Sequence, residues 1–254
     1  MIINEFFILS ATGLFMGMVA VTSGGGATVG VPMVLALGHP ATSAVVAVLF
    51  GLNASFITGS LTYRRLERPK VILPLYIWPL AIFGSVVGAT FFLSIDAKVL
   101  RALILILLVI ALALTMLVKP DKLKDRDLTS SKKQALGVLV IFLLSIYCGF
   151  FGAGFGTFII LALMHFFGYS FLESASAGTR FALIIGGASL LFYMFRGQIP
   201  YKLGIPLALG ASVGGYVGAV LAQRGGEKFI RITFVASTII LIIKLGFDFL
   251  NHHF

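Results

Sequence analysis

Charged residues are scarce in this sequence. Only 11% of its 254 residues are Asp, Glu, Lys or Arg, and 59% are hydrophobic, whereas a soluble domain carries about 25% charged residues. A soluble fold of this length has too small an interior to hide that much apolar surface. The composition therefore excludes the soluble globular class and predicts that lipid surrounds much of the chain.

Cysteine is almost absent as well, because Cys148 is the single one in the sequence. One thiol excludes an internal disulfide, and thiolate metal sites use two or more cysteines at a set spacing. We therefore expect Cys148 to be a small packing residue, and we expect neither a metal nor a cofactor. The first residues, MIINEFF, lack a basic region and a cleavage site, so we predict no removable signal peptide.

Acidic residues are fewer than basic ones, and the formal net charge is +10. In a soluble protein such an excess would suggest nucleic acid as a partner. Here the Lys and Arg residues lie between apolar runs, which is the usual distribution of topology signals in a multi-pass membrane protein. We therefore predict a lipid bilayer and no nucleic acid as the partner, and a cell (inner) membrane as the location.

Long apolar runs define the fold class. Residues 41–62, 71–93 and 102–118 contain no charged side chain, and about 20 apolar residues suffice for a helix to cross the hydrocarbon. The runs are continuous and do not alternate with polar residues as barrel strands do. They predict an all-α polytopic membrane protein with about six to eight spanning helices.

The chain resembles a tandem duplication. The matches at a shift of 130 or 131 positions are Gly24 with Gly154, Gly26 with Gly156, Gly38 with Gly168, Gly84 with Gly214, Gly88 with Gly218, Arg65 with Arg196 and Pro69 with Pro200. We therefore predict a first membrane repeat at 1–118, a polar cytoplasmic linker at 119–133 and a second repeat at 134–254. Internal repeats of this kind are common in transporters.

Each repeat divides into four apolar units. They are residues 6–37, 41–62, 71–93 and 99–118 in the first half, and 134–167, 171–195, 203–222 and 229–249 in the second. The first unit of each half is too long for a simple 30 Å crossing. It is either one bent crossing, which gives parallel repeats, or a re-entrant hairpin, which gives inverted repeats. The positive-inside rule balances equally for both, and we favour inverted repeats because their glycine tips would meet near the midplane.

Glycine clusters interrupt these two long units. The first is Thr22, Ser23, Gly24, Gly25, Gly26, Ala27 and Thr28, and the second includes Gly154, Gly156 and Thr157. Consecutive glycines are poor helix formers, and a helix that restarts after a break directs N–H groups and a positive dipole end at that break. We predict an anion site with hydroxyl donors from Thr22, Ser23, Thr28 and Thr157. The alternative is close helix packing through small residues.

Arg180 is the second candidate, because it lies near the centre of the predicted span 171–195. A central arginine costs roughly 2.5–3.5 kcal/mol to insert, so it needs an interior partner or a ligand. We predict that it attracts the anion, with Thr179 and Asn53 as polar neighbours of the pathway. The alternative for Arg180 is an ion pair with Glu173, and for Asn53 it is a helix–helix hydrogen bond.

His39, His165 and Glu173 are candidates for a proton relay, since histidine titrates near neutral pH. Packing or capping at the membrane interface is the alternative for both histidines. We identify no catalytic residue, because an intramembrane hydrolase needs a paired nucleophile and base, and we expect no enzyme.

These motifs resemble the sulfite exporter TauE/SafE family. The resemblance rests on TSGGGATVGVP at 22–32, on GFFGAGFGTF one half later and on the Ala-Gly-Thr-Arg stretch ending at Arg180, and it extends over essentially the whole chain. It implies export of a small anion such as sulfite or a sulfoacetate-like organosulfonate across a bacterial cell membrane, with Gly24–Gly26, Thr28, Gly154, Gly156 and Arg180 near the pathway. An assembly or metal-delivery partner without transport activity is the alternative, and a homodimer is compatible with either.

Overall fold

The structure is a computed structural model that describes residues 3–66, 75–96, 99, 103, 106 and 131–224. These residues form α-helices joined by short turns, and no strand occurs within the described ranges. The all-α class predicted from the apolar runs is therefore confirmed.

The helices are numbered here in chain order. They are α1 (Ile3–Ser23), α2 (Gly26–Ala36), α3 (Ala41–Leu66), α4 (Ile77–Ser94), α5 (Ser131–Phe150), α6 (Phe155–Phe167), α7 (Phe171–Phe195) and α8 (Tyr201–Arg224). Five of the described helices, α1, α3, α4, α7 and α8, are long and apolar enough to cross a membrane. The bounds of α7 are those predicted. Of the predicted units 99–118 and 229–249, only residues 99, 103 and 106 are among the described residues, and most of the linker lies outside them.

Large apolar side chains cover the outer surface of the helix assembly. Phe7, Phe83 and Phe195 are 65%, 62% and 83% exposed, and Leu75 is 84% exposed. Such a surface is costly in water but is the expected surface in hydrocarbon. Together with the spanning helices, it identifies a multi-pass membrane protein.

Helix α2 returns along α1 instead of continuing across the membrane. His39, just after α2, lies beside Glu5 in the first turn of α1, with 2.8 Å between Nε2 and Oε1. A contact between the two open ends requires antiparallel helices. The first long unit is therefore a hairpin whose tip is the glycine cluster, and it is not a bent crossing.

The second long unit folds in the same way. A Cβ placed on Gly137, near the start of α5, would lie 2.7 Å from Cβ of Phe166 near the end of α6. Gly168 ends α6 with a φ of 68°. Helix α7 then begins at a capping box in which Ser170 and Glu173 bond each other's backbone, the motif that fixes a helix start.

Two glycine seams join the halves. Gly210, Gly214 and Gly218 of α8 lie against the backbone of α1 at Ser10, Leu14 and Met18, and Gly88 of α4 lies against Ile146 of α5. A Cβ at these glycines would collide with the facing helix. The missing side chains let the backbones approach closely, as is typical of helix pairs in membranes.

Candidate functional site

The first helix break lies between α1 and α2. α1 ends at Ser23, Gly24 has a φ of 79°, and α2 begins at Gly26. A φ of this sign suits glycine because it has no Cβ. The glycine triplet therefore interrupts the helix, as predicted from the sequence.

The second break lies between α5 and α6 and has the same character. Gly152 and Gly154 have φ values of 70° and 72°, and α6 begins at Phe155. Residues 151–154 form turns between the two helices.

The two breaks meet in the interior. Gly24 and Gly156 approach so closely that a Cβ on either would collide with the backbone of the other. Thr157 Oγ1 also donates a hydrogen bond of 2.6 Å to the carbonyl of Ser23. The hairpin tips of the two halves are thus in direct contact.

A small cavity of about 30 Å³ lies beside this contact. Its lining comes from both tips and from α3 and α7, and it comprises Ala20, Gly24, Gly26, Ala27, Val31, Val45, Val48, Leu49, Leu52, Phe56, Cys148, Phe151, Gly152, Phe155, Gly156, Ala182 and Gly186. A water molecule needs roughly 10–15 Å³, so the cavity has room for about two. In this conformation the site offers only a very small volume.

Two helices begin at this cavity without a capping side chain. The N-cap residues are Gly25 for α2 and Gly154 for α6, and neither helix has a side-chain cap hydrogen bond. The first N–H groups of a helix have no acceptor within it, and together they carry a partial positive charge. The lining residues Gly26, Ala27 and Gly156 belong to these first turns. The N–H groups of Thr28, Phe155 and Thr157 already donate to backbone carbonyls. The donors left for an anion are therefore the N–H groups of the lining residues Gly26, Ala27 and Gly156.

The four predicted hydroxyl donors are engaged with the backbone. Thr22 donates to Met18 at 2.9 Å, Ser23 donates to Val19 at 3.0 Å, and Thr28 donates to Gly25. Thr157 donates to Ser23 as described above. A hydroxyl has one proton to donate, so in this conformation the donors left for an anion are the backbone N–H groups. The hydroxyl role of these four residues stays a prediction that requires the hydroxyls to rotate.

Asn53 lies on α3 next to the lining residue Leu52 and is not itself a lining residue. Its Nδ2 donates to the carbonyl of Leu49 at 2.9 Å. Its Oδ1 is buried and has no hydrogen-bond partner among the residues that the structure describes. Asn53 therefore makes only part of the hydrogen bonding that a buried amide requires.

Arg180 lies on α7 and does not line the cavity. It is half-buried, and its Nε donates to the carbonyl of Ser176 at 3.4 Å. Glu173 instead accepts from Ser170 at the helix start, and within the described ranges Arg180 forms no salt bridge. The alternative of a Glu173–Arg180 ion pair thus finds no support.

The first half of α7 is polar on its inner side. Thr179 donates to Ala175 at 2.8 Å, and the hydroxyls of Ser174 and Ser176 are buried without a partner in the described part of the chain. Gly186 of the same helix lines the cavity. At 1.5 Å per residue, Arg180 lies about 9 Å from Gly186 along the helix axis.

The two histidines lie at the hairpin bases, away from the tips. His39 contacts Glu5, and His165 lies in the last turn of α6 with its ring 4.7 Å from that of Phe166. Glu173 is likewise at the start of α7. The structure therefore brings none of these three residues to the cavity lining, and their relay role stays a prediction.

Two buried tyrosines near the breaks were missed from the sequence. Tyr63 at the end of α3 donates to Val21 of α1 at 3.1 Å, and Tyr193 at the end of α7 donates to Gly149 of α5 at 2.8 Å. They match at the shift of 130 positions that relates the glycines. That shift was the signal that could have revealed them.

The fold and the site together define a class of protein, namely a polytopic helical membrane protein with broken helices meeting at a small interior cavity. The sequence model for "Sulfite exporter TauE/SafE" matches residues 9–245. The chain therefore belongs to the sulfite exporter TauE/SafE family and is a membrane transporter of that family.

Three relatives align over nearly their full lengths. A probable membrane transporter protein of Haemophilus influenzae is 27% identical, with 97% of this chain and 96% of the relative covered. Another, ORF9 of a Sinorhizobium species, is 32% identical over 91% and 88%. The probable membrane transporter protein YfcA of Escherichia coli is 23% identical over 95% and 89%. No solved structure matches the chain significantly.

Proposed function

We propose that this transporter is a secondary exporter of a small anion such as sulfite or an organosulfonate. The observation that carries the proposal is the pair of uncapped helix starts at one cavity. Buried helix N-termini need partners for their N–H groups, and an oxoanion supplies several acceptor oxygens and a complementary charge.

Arg180 adds a full positive charge to this arrangement. It lies on the helix that contributes Ala182 and Gly186 to the lining, about 9 Å along the axis from Gly186. It also forms no salt bridge within the described ranges. We assign Arg180 the role of drawing the anion from one membrane face towards the helix tips.

Transport requires the two tips to separate. The cavity of about 30 Å³ lies beside the contact between Gly24 and Gly156, and it holds only about two water molecules. A site of this kind would open towards one face at a time. The interior-negative membrane potential favours the exit of an anion by about 2.3 kcal/mol per charge per 100 mV.

A flux assay with purified protein in liposomes tests the proposal. Sulfite and a small sulfonate should each leave loaded vesicles faster with the protein than without it. Arg180→Gln should lower the flux roughly 10- to 100-fold, because the anion loses a charged hydrogen-bond donor worth about 1.5–3 kcal/mol on its way to the helix tips. Arg196→Gln is the matched control, since Arg196 is exposed at the end of the same helix.

Two outcomes would count against the proposal in different ways. If the wild-type protein moves neither anion, then anion export itself is refuted. If Arg180→Gln and Arg196→Gln both retain full flux, Arg180 is not on the pathway, and the helix starts alone would have to bind the anion.

A further inference from the structure

Only one of the two polar atoms of the Asn53 carboxamide has a hydrogen-bond partner among the described residues. The side chain is 5% exposed, Nδ2 donates to Leu49, and Oδ1 has no partner among the described residues. A buried acceptor without a donor is unfavourable, so such an atom in a native protein calls for a ligand or a water molecule.

Asn53 shares a helix face with three residues of the cavity lining. Leu49, Leu52 and Phe56 line the cavity, and with Asn53 they have the spacing i, i+3, i+4 and i+7 that places side chains on one side of a helix. Across from this face, the Cβ position of Gly186 lies 3.3 Å from Nδ2 and 3.6 Å from Oδ1 of Asn53. Gly186 is a lining residue and Asn53 is not, so the amide lies directly behind the cavity lining.

The cavity region thus offers two opposite kinds of hydrogen-bonding group. The starts of α2 and α6 offer N–H donors, which suit the oxygens of an anion. Asn53 Oδ1 offers an acceptor, which repels those oxygens and requires an O–H or N–H group. A ligand that satisfies both sides carries a negative charge and also a hydrogen-bond donor.

We propose that the preferred substrate is a small monoanion with an O–H or N–H donor, such as hydrogen sulfite or a hydroxy- or amino-substituted sulfonate, and that Asn53 Oδ1 accepts from that donor. The inference rests on the proposed anion export and names the substrate class for the same site. A fully deprotonated dianion has no donor for Oδ1 and is disfavoured.

Two sulfonates of equal charge test this most directly in proteoliposomes. 2-Hydroxyethanesulfonate and ethanesulfonate differ by one hydroxyl, and neither changes its charge near neutral pH. The wild-type protein should prefer the hydroxylated anion roughly five- to tenfold in kcat/KM, the size expected for one neutral hydrogen bond. Without an acceptor in the site, an apolar lining would favour ethanesulfonate instead.

The matched variants separate this role from folding. Asn53→Leu keeps the approximate shape and Asn53→Ala keeps the helix, and both should lower the preference for the hydroxylated anion to one or below while ethanesulfonate is still transported. Thr62→Val is the control, because Thr62 is a buried polar residue of the same helix that donates to Thr58 and lies nine residues along the helix from Asn53. It should keep the wild-type preference.

Each remaining outcome has a definite meaning. A wild-type preference near one, or a preference that survives both Asn53 variants, overturns the inference and leaves Oδ1 to a bound water. If the folded Asn53→Ala variant loses transport of both sulfonates to the same extent, the inference is also overturned. If sulfite moves but neither sulfonate does, the same comparison is made between hydrogen sulfite and its dianion by varying pH, and flux should fall as the dianion forms. Failure to move any anion refutes the proposed function instead.

Discussion

At the residue scale, two glycines allow the hairpin tips of the two halves to touch. Gly24 and Gly156 face each other, and a Cβ on either one would meet the backbone of the other. Backbone cannot move aside as a flexible side chain can. Both positions therefore require glycine for steric reasons, and Gly24 also requires it for its φ of 79°.

We predict that Gly24→Ala and Gly156→Ala lower the thermal stability of the purified protein and reduce flux. Gly38→Ala is the control that separates strain from collision. Gly38 also has a positive φ, of 85°, but nothing lies within 4 Å of its Cβ position. It should cost only the backbone strain of about 1–2 kcal/mol.

Thermal unfolding in detergent measures the difference. Gly24→Ala should unfold at a lower temperature than Gly38→Ala, because it carries both penalties. Equal unfolding temperatures for the two variants would show that the contact between the tips accommodates the added methyl group without loss of stability.

At the element scale, the breaks are held in place by the ends of the neighbouring long helices. Tyr63 and Tyr193 are 1% and 0% exposed, and their hydroxyls bond carbonyls in the last turns of α1 and α5. Carbonyl groups in the last turn of a helix have no N–H donor within their own helix. The tyrosines thus supply what the interrupted helices cannot.

We predict that Tyr63→Phe and Tyr193→Phe each destabilise the protein by about 1–3 kcal/mol, because each leaves a buried carbonyl without its tyrosine donor. The rings stay in place, so packing is unchanged. Tyr216→Phe is the control, since Tyr216 is 57% exposed, and it should leave stability unchanged. Thermal unfolding of the three variants measures the difference. A Tyr216→Phe variant as unstable as the other two would argue against a specific role of Tyr63 and Tyr193 in holding the breaks.

At the scale of the whole molecule, the inverted relation of the repeats stays a prediction, and the helix directions in the described residues are the reason to test it. Contacts advance together along α1 and α8, as Gly13 with Leu207 and Gly17 with Ala211 show, so these two helices are parallel. α7 and α8 are joined by a short turn at residues 196–200 and run in opposite directions. α6 folds back on α5 and α7 folds back on α6, so α5 runs with α7 and against α1.

An inverted arrangement predicts opposite sidedness for two loops. The test uses variants that carry Cys148→Ala and one introduced cysteine. Glu67→Cys places that cysteine after α3, in a basic segment that should be cytoplasmic. Gln198→Cys lies between α7 and α8 and should face the outside. A membrane-impermeant maleimide should label position 198 in intact cells, and position 67 only after permeabilisation. Labelling of both from one side would instead mean parallel repeats.

The sequence by itself determined the membrane class, the positions of both helix breaks and the bounds of α7. Each of these depends on local chemistry, since apolar length selects spanning helices, glycine clusters interrupt them and the Ser170–Glu173 capping box starts one. The tandem shift also marked residues that prove structurally related, such as Tyr63 and Tyr193.

Only the tertiary structure decided which groups share the cavity. It folded both long units into hairpins, where charge counting could not choose, and it placed Arg180 away from the lining and Asn53 beside it. It also gave the hydroxyls of Thr22, Ser23, Thr28 and Thr157 backbone acceptors. The physical reason is that lipid and the protein interior are equally apolar. The sequence of an apolar helix therefore does not indicate which of its faces packs against the other helices.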